Sequence, residues 1–330
     1  LLLSLIAGGH KMGERTIHRL HTQIAGVAVT WTTDCAGETD ELRRILKHHL
    51  RDPQKDAGGE SHTVEFAESG QLPVVPDDSY VRWEGPYMGL VTSRNKVKWL
   101  YSPSTCLDYL ILTEEITIVH DTRCNHTCCH LLARREGDRT VRPRIWDAIV
   151  ILLHTVMAIH GRYSLHAAAV GLDGGAYVFI GESGHGKSTL CTDLVNLGAD
   201  YMGDDLAYVY TRGDTVCIGS LLMEAKLFPR RHAREKEWID VVETTGCRAP
   251  LELPLKRIYY LQRAKGPCRV EPQEPADCMI AMIRASNNVR MQYDADRWQD
   301  VLERASMLDA FGVFHFGDRS TLSTDLFTDA

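Results

Sequence analysis

The densest chemistry in the chain lies in nine residues, Gly181-Glu182-Ser183-Gly184-His185-Gly186-Lys187-Ser188-Thr189. Glycines at 181 and 186, followed at once by a lysine and a hydroxyl residue, have the spacing of a phosphate-binding loop. In such a loop backbone N–H groups turn inward on phosphate oxygens, Lys187 reaches the β- and γ-phosphates, and the Ser188 hydroxyl holds Mg²⁺. Gly181 through Thr189 are therefore the expected contacts of ATP, with ATP and Mg²⁺ as cofactors. Asp204 and Asp205 follow, seventeen and eighteen residues after Lys187. Adjacent carboxylates at a strand end suit two jobs: one orients a metal or its waters, the other takes a proton from an attacking hydroxyl. Their repulsion should raise at least one of the two pKa values, which favours a base.

Two histidines lie near this stretch. His166 precedes Gly181 by fifteen residues. It falls on a strand, Ser164 to Val170, that would hairpin into the loop strand and bring the imidazole beside the phosphates or the acidic pair. The competing reading is a satisfied core histidine. His185 stands at a variable loop position and carries little weight. Downstream, Arg230, Arg231, Arg234 and Lys236 place four cations within seven residues of an otherwise acidic chain. They read either as a solvated surface or as a loop whose arginine forks grip carboxylate or phosphate oxygens of a substrate.

The elements that must position these groups can be read locally. Ala176 to Ile180 is a short β-prone run launched by Asp173-Gly174-Gly175 and ending on Gly181. Leu190, Leu194, Val195 and Leu197 recur at helical spacing after Ser188, with Gly198 as a left-handed stop. The phosphates would then sit on a helix N-terminus, where unpaired N–H groups and the helix dipole favour negative charge. Leu206 to Tyr210 and Thr215 to Ile218 flank a hairpin turn at Arg212-Gly213-Asp214, and Ile258 to Leu261 is a further strand. Ala276 to Arg284 and Asp294 to Leu308 read as helices, the second with a core stripe of Trp298, Val301, Leu302 and Ala305.

Before the loop, residues 22 to 70 read as strand, helix, strand. Short strands follow around Val81 to Trp83, Met88 to Thr92, Val97 to Tyr101, Tyr109 to Leu112 and Ile116 to Val119. Cys124 to His130 holds five soft-metal ligand types but lacks a second couple at zinc spacing, so it reads as a half-buried turn leading into the next helix. That helix opens near Pro143 and ends at Gly161, with Ile145, Ile149, Leu152, Val156 and Ile159 on its inner face. The division expected is a smaller mixed or β-rich N-terminal domain over 1–130 and a phosphate-loop domain over 131–330, an α/β (α+β) fold.

Length and composition narrow the class. The 330 residues, 44% of them hydrophobic, suffice for substantial cores. A net charge of −7 without long basic runs argues against a nucleic-acid partner. The longest apolar run, Ala148 to Ile159, is interrupted by His154 and too short to span a bilayer, so it reads as a buried helix and no membrane partner is expected. Ten scattered cysteines and an apolar but short Leu1 to Ala7 point to reduced thiols, no secretory leader and a cytoplasmic location. Homo-oligomerisation stays open.

His166, Gly181 to Ser188 and Asp204-Asp205, at these mutual spacings, resemble the catalytic half of HPr kinase/phosphorylase over about forty ungapped residues. The resemblance implies a nucleotide domain similar to that of phosphoenolpyruvate carboxykinase. It makes Lys187 the phosphate contact, Ser188 and Asp204 metal-associated, Asp205 the proton acceptor and His166 an active-site partner. The family's glycine-rich signature with its metal-binding glutamate is not recognisable; Glu224 is the nearby candidate. Phosphorolysis is therefore not expected. The layout is more similar to HPr-kinase-like proteins of peptide-modification clusters, which implies an ATP-dependent serine kinase acting on a peptide or small protein, such as the C-terminal residue of a lasso-type precursor. Two rivals remain: a kinase of a small-molecule hydroxyl, and a non-catalytic ATP-sensing subunit.

Overall fold

The computed structural model describes residues 17–34, 36–51, 60–86, 96–132, 141–220, 224–227, 237–286, 295–308 and 311–328. Two large sheets, both of mixed strand direction, make up most of it. The first is built from β1 (His18–Ile24), β2 (Val27–Thr33), β3 (Ser61–Ser69), β4 (Tyr80–Pro86), β5 (Lys96–Ser102), β6 (Leu107–Thr113), β7 (Ile116–Asp121) and β8 (His126–Leu132), with helix α1 (Ala36–Leu46) between β2 and β3. Its order is β1-β2-β3-β8-β7-β6-β5-β4, parallel only at β2/β3 and β3/β8. Along β2, Val27, Val29 and Trp31 are buried in strict alternation, the period-two pattern of a strand with one core face. The strand expected over Met88 to Thr92 lies outside the described residues.

One expectation fails here. Cys124 to His130 is not a turn before a helix but runs into β8, paired on both sides by β3 and β7. Thr127, Cys129 and Leu131 are buried in alternation, a β signal masked in sequence by its mixture of polar types. The same alternation sends Cys129 to the opposite face from Cys128 and His130, so the potential ligands diverge.

Helix α2 (Val141–Ile159) is the buried helix expected of its apolar run, but it is covered on more than the one inner face expected of it. Every residue from Ile151 to Ala158 is buried, because α2 lies between the two sheets. One core joins Val29, Trp31 and Phe66 of the first sheet to Ile149, Leu152 and Val156 of α2 and to Tyr208 and Tyr210 of the second. A helix covered on all sides is apolar on all sides, which is why the segment reads as a run rather than a stripe.

The second half contains β9 (Tyr163–Leu165), β10 (Ala167–Leu172), β11 (Gly175–Ile180), α3 (Lys187–Asn196), β12 (Asp200–Gly203), β13 (Ala207–Arg212), β14 (Thr215–Ser220), β15 (Glu224–Leu227), β16 (Glu237–Asp240), α4 (Val241–Thr245) and β17 (Glu252–Pro267). It closes with β18 (Arg269–Pro272), α5 (Pro275–Ala285), α6 (Ala295–Ser306), β19 (Phe311–Asp318) and α7 (Asp325–Thr328). The nine-stranded sheet runs β12-β10-β11-β17-β14-β13-β9, with β19 beside β17 and β18 beside β19; β15 and β16 pair separately. Successive residues of β10 and β11 are apolar because both faces are covered. Ala167, Ala169, Val178 and Ile180 face Met282, Trp298 and Leu302 of α5 and α6. Ala168, Val170 and Phe179 face Leu190 and Leu194 of α3 and Phe327 of α7.

Candidate active site

The glycine-rich loop of residues 181–186 leaves the end of β11 and enters α3 directly. Its glycines sit where other residues would be strained: Gly181 at φ 148°, Gly184 at 85° and Gly186 at 99°. A Cβ on Gly181 would meet the Leu261 carbonyl oxygen of β17 at 3.0 Å, and one on Gly186 the Phe316 ring at 3.3 Å. Gly186 is the N-cap of α3 and supplies no side-chain cap, so the first-turn N–H groups stay available to an anion. At the other end Gly198, φ 102°, closes a Schellman turn, with Ala199 N donating to Leu194 O and Gly198 N to Val195 O. Glu182, Ser183 and Gly184 form the exposed crest, while Ser188 and Thr189 are half-buried at the start of α3. His185 does more than its variable position suggests: its Nδ1 lies 3.1 Å from Leu261 O and ties the crest to β17.

Lys187 is buried, and its ammonium donates to Gly181 O at 2.9 Å, to Glu182 O at 3.4 Å and to His166 Nε2 at 3.2 Å. Because an ammonium can only donate, Nε2 of His166 is the acceptor and the ring proton sits on Nδ1. That nitrogen faces Asp205 Oδ1 at 4.0 Å, close enough for charge attraction but long for a direct hydrogen bond. Burial pushes the His166 pKa down and the Lys187 charge adds to this, against the opposing pull of Asp205. The ring is thus held neutral between a cation and a carboxylate.

His166 does not lie within a continuous strand, as expected from sequence, but at a break. Before it β9 pairs β13, Leu165 opposite Ala207; after it β10 pairs β12, Ala169 opposite Gly203. The strands opposite break at the same level, between Gly203 and Ala207, and there stand Asp204 and Asp205. Two strand-to-strand crossings face each other, and this brings the histidine to the acidic pair. The His166 N–H is satisfied by Ala285 O at 2.7 Å, at the end of α5, a support with no local signal in sequence. Leu206 N donates to Asp204 O at 2.8 Å around Asp205, whose φ is 61°. Such a tight turn on a non-glycine residue is strained, the kind of outlier that concentrates at functional sites.

The two aspartates differ sharply. Asp204 is 1% exposed, whereas Asp205 is half-buried. The pKa of Asp204 is pushed up to about 6, first by burial and then by the Asp205 charge; the Ser188 hydroxyl, the Asp205 backbone and Lys187 draw it back. Repulsion, the cause named from the sequence, is second to burial. Neither carboxylate oxygen of Asp204 has a hydrogen-bond partner at bonding distance. Buried carboxylate oxygens without donors, facing a hydroxyl at a helix start, fit a hard divalent cation, which takes oxygen ligands and relieves this cost. Among the described residues no three His, Cys, Asp or Glu side chains form a metal cluster. Ser188 and Asp204 would thus be the protein's share of a site completed by phosphate and water oxygens.

Not every expected residue enters this constellation. The backbone of Glu224 opens β15, opposite Asp240, while its side chain lies outside the described residues. Arg230, Arg231, Arg234 and Lys236 lie outside them altogether.

No family model matches the chain, and no curated protein matches it. Among solved structures the chain is similar to the Hpr(Ser) kinase/phosphatase from Coxiella burnetii, with 17% identity over 33% of this chain and 77% of that one and a TM-score of 0.26. So slight a likeness carries no argument about fold or chemistry. No helix among the described residues is long and apolar enough to cross a membrane.

Proposed function

We propose that this protein is an ATP- and Mg²⁺-dependent kinase that transfers phosphate to a serine-type hydroxyl on a peptide or small protein. The observation that carries the reading is the convergence of Lys187, His166 and Asp205: ammonium to imidazole at 3.2 Å, imidazole to carboxylate at 4.0 Å, at the mouth of a glycine-rich loop. Phosphoryl transfer demands little beyond positioning and charge neutralisation. Loop N–H groups and Lys187 receive the phosphates. Ser188 and Asp204 would hold Mg²⁺, which when bound neutralises phosphate charge. Asp205, the more exposed carboxylate, takes the proton of the acceptor hydroxyl, and His166 fixes its direction. The peptide acceptor, with the C-terminal serine of a lasso-type precursor as its particular form, rests on the sequence resemblance. Cations at 230–236 would grip that peptide's carboxylate.

The test separates binding from transfer. Asp205→Asn should lower kcat by about two orders of magnitude or more while ATP affinity by calorimetry stays within about twofold. Lys187→Ala should lose both. Near-normal turnover of Asp205→Asn would remove the proton-acceptor role; unchanged ATP affinity of Lys187→Ala would remove the loop assignment.

A further inference from the structure

The glycine-rich loop has two unlike sides. On the side of β10 stand His166, 3.2 Å from Lys187 Nζ, and Asp205, 4.0 Å from the same imidazole. On the other side β11 is followed by β17 and then β19, all three parallel. On the kinase reading, on which this inference rests, the terminal phosphate goes to Lys187, His166 and Asp205. A linear triphosphate then carries its nucleoside the other way, toward β17 and β19.

Those two strands are built to receive something there. Gly181 lies against Leu261 of β17, but β17 continues to Pro267 and β19 to Asp318, so both rise past the loop as a wing. The wing is held by a close backbone crossing. A Cβ on Gly317 of β19 would stand 2.1 Å from Gly266 O of β17, and Gly266 itself has φ 94°, so neither position has room or conformation for a side chain.

Two side chains on the wing face the loop. Residues paired across a sheet share a face, and alternate residues of one strand do too. Arg263 pairs Phe316, and both fall on the face of Leu261 and Phe314, the one that α3 covers lower down. Arg263 stands two residues beyond Leu261, about 7 Å along the strand, and is exposed. The Phe316 ring rests on the loop, its Cδ1 and Cε1 both 3.3 Å from a Cβ built on Gly186. It packs on Phe314 with ring centroids 6.4 Å apart, which fixes its plane while leaving it partly exposed.

We propose that Phe316 and Arg263 form the platform on which the base of the nucleotide lies. The fixed ring offers the base a π face, and the planar guanidinium stacks beside it. Every base has such a face, so the platform binds the base by stacking rather than by reading its edge.

The full chain is titrated by calorimetry with ATP and with tripolyphosphate, each with Mg²⁺; the second keeps the phosphates and lacks the base. Phe316→Leu should bind ATP about tenfold more weakly and tripolyphosphate within about twofold of the unsubstituted chain, while Phe316→Tyr retains both. Arg263→Gln, an exchange at an exposed position that leaves the core alone, should show the same selectivity at about threefold. GTP should respond to both substitutions as ATP does. Lys187→Ala should weaken ATP and tripolyphosphate alike. If it weakens neither, the loop assignment falls and the platform with it. If it weakens both, but ATP affinity in Phe316→Leu or Arg263→Gln is unchanged or falls no further than tripolyphosphate affinity, the platform is overturned and the loop assignment stands.

Discussion

Replacing Asp204 by asparagine should make the protein more stable and less active, by amounts that depend on pH. The carboxyl is buried and its pKa stands at about 6 against an ordinary 3.8. The folded chain holds the proton up to about pH 6, whereas the unfolded chain releases it near 3.8. The cost of ionising Asp204 is therefore absent below the lower value, grows between the two, and is complete above the higher one. Roughly two pKa units at ~1.36 kcal/mol each amount to ~3 kcal/mol. Asparagine keeps the shape and removes the charge. With an unfolding entropy near ~0.7 kcal/mol/K for a chain of this length, Asp204→Asn should raise Tm by about 4 °C at pH 8 and by only about 1.5 °C at pH 4.5, where roughly a third of the cost is present. Thermal unfolding followed by circular dichroism at the two pH values measures this. On the proposed role of Asp204 in holding Mg²⁺, added Mg²⁺ with ATP should stabilise the parent more than the variant, since only the parent would keep both carboxylate oxygens for the ion. A Tm difference that is the same at both pH values, or a variant less stable at pH 8, would refute the claim that burial of this charge strains the site.

Other outcomes can be checked alongside. His154, wholly buried in α2, has its pKa pushed down by burial to about 3, against an ordinary 6.5; the unfolded chain takes up this proton first, so stability is complete above pH 6.5 and is lost as pH falls toward 3. His154→Leu should accordingly flatten the acid limb of a urea-denaturation series, and an unchanged slope would contradict it. Gly181→Ala forces a Cβ against Leu261 O at φ 148° and should cost ~1–3 kcal/mol in urea denaturation, with weakened ATP binding. On the proposed kinase function, incubating its phosphoserine product with inorganic phosphate should return little unmodified substrate, because no glycine-rich phosphorolysis signature is recognisable after the acidic pair; efficient return would contradict that expectation.

Much of the second half was legible in the residues themselves. The strand–loop–helix around Gly181 to Lys187, the Gly198 stop, the hairpin around Gly213 and the Trp298 stripe all rest on local rules: backbone freedom at glycine, capping, and the spacing of apolar residues over one turn or one pleat. Such rules report only on neighbours in the chain. The meeting of His166 with Lys187 and Asp205 depends on which strands pair and at what register, and on a break shared by β9/β10 and β12/β13 that no short window contains. Which aspartate carries the raised pKa could not be read from two adjacent identical residues either; it follows from the packing that buries Asp204 and leaves Asp205 half-open. The strand at His126–Leu132 and the cover that both sheets give α2 share that origin, since each depends on elements distant in sequence. Residue types set what chemistry the chain could do; long-range pairing and burial, which sum many weak contacts over the whole fold, set which of those residues can do it together.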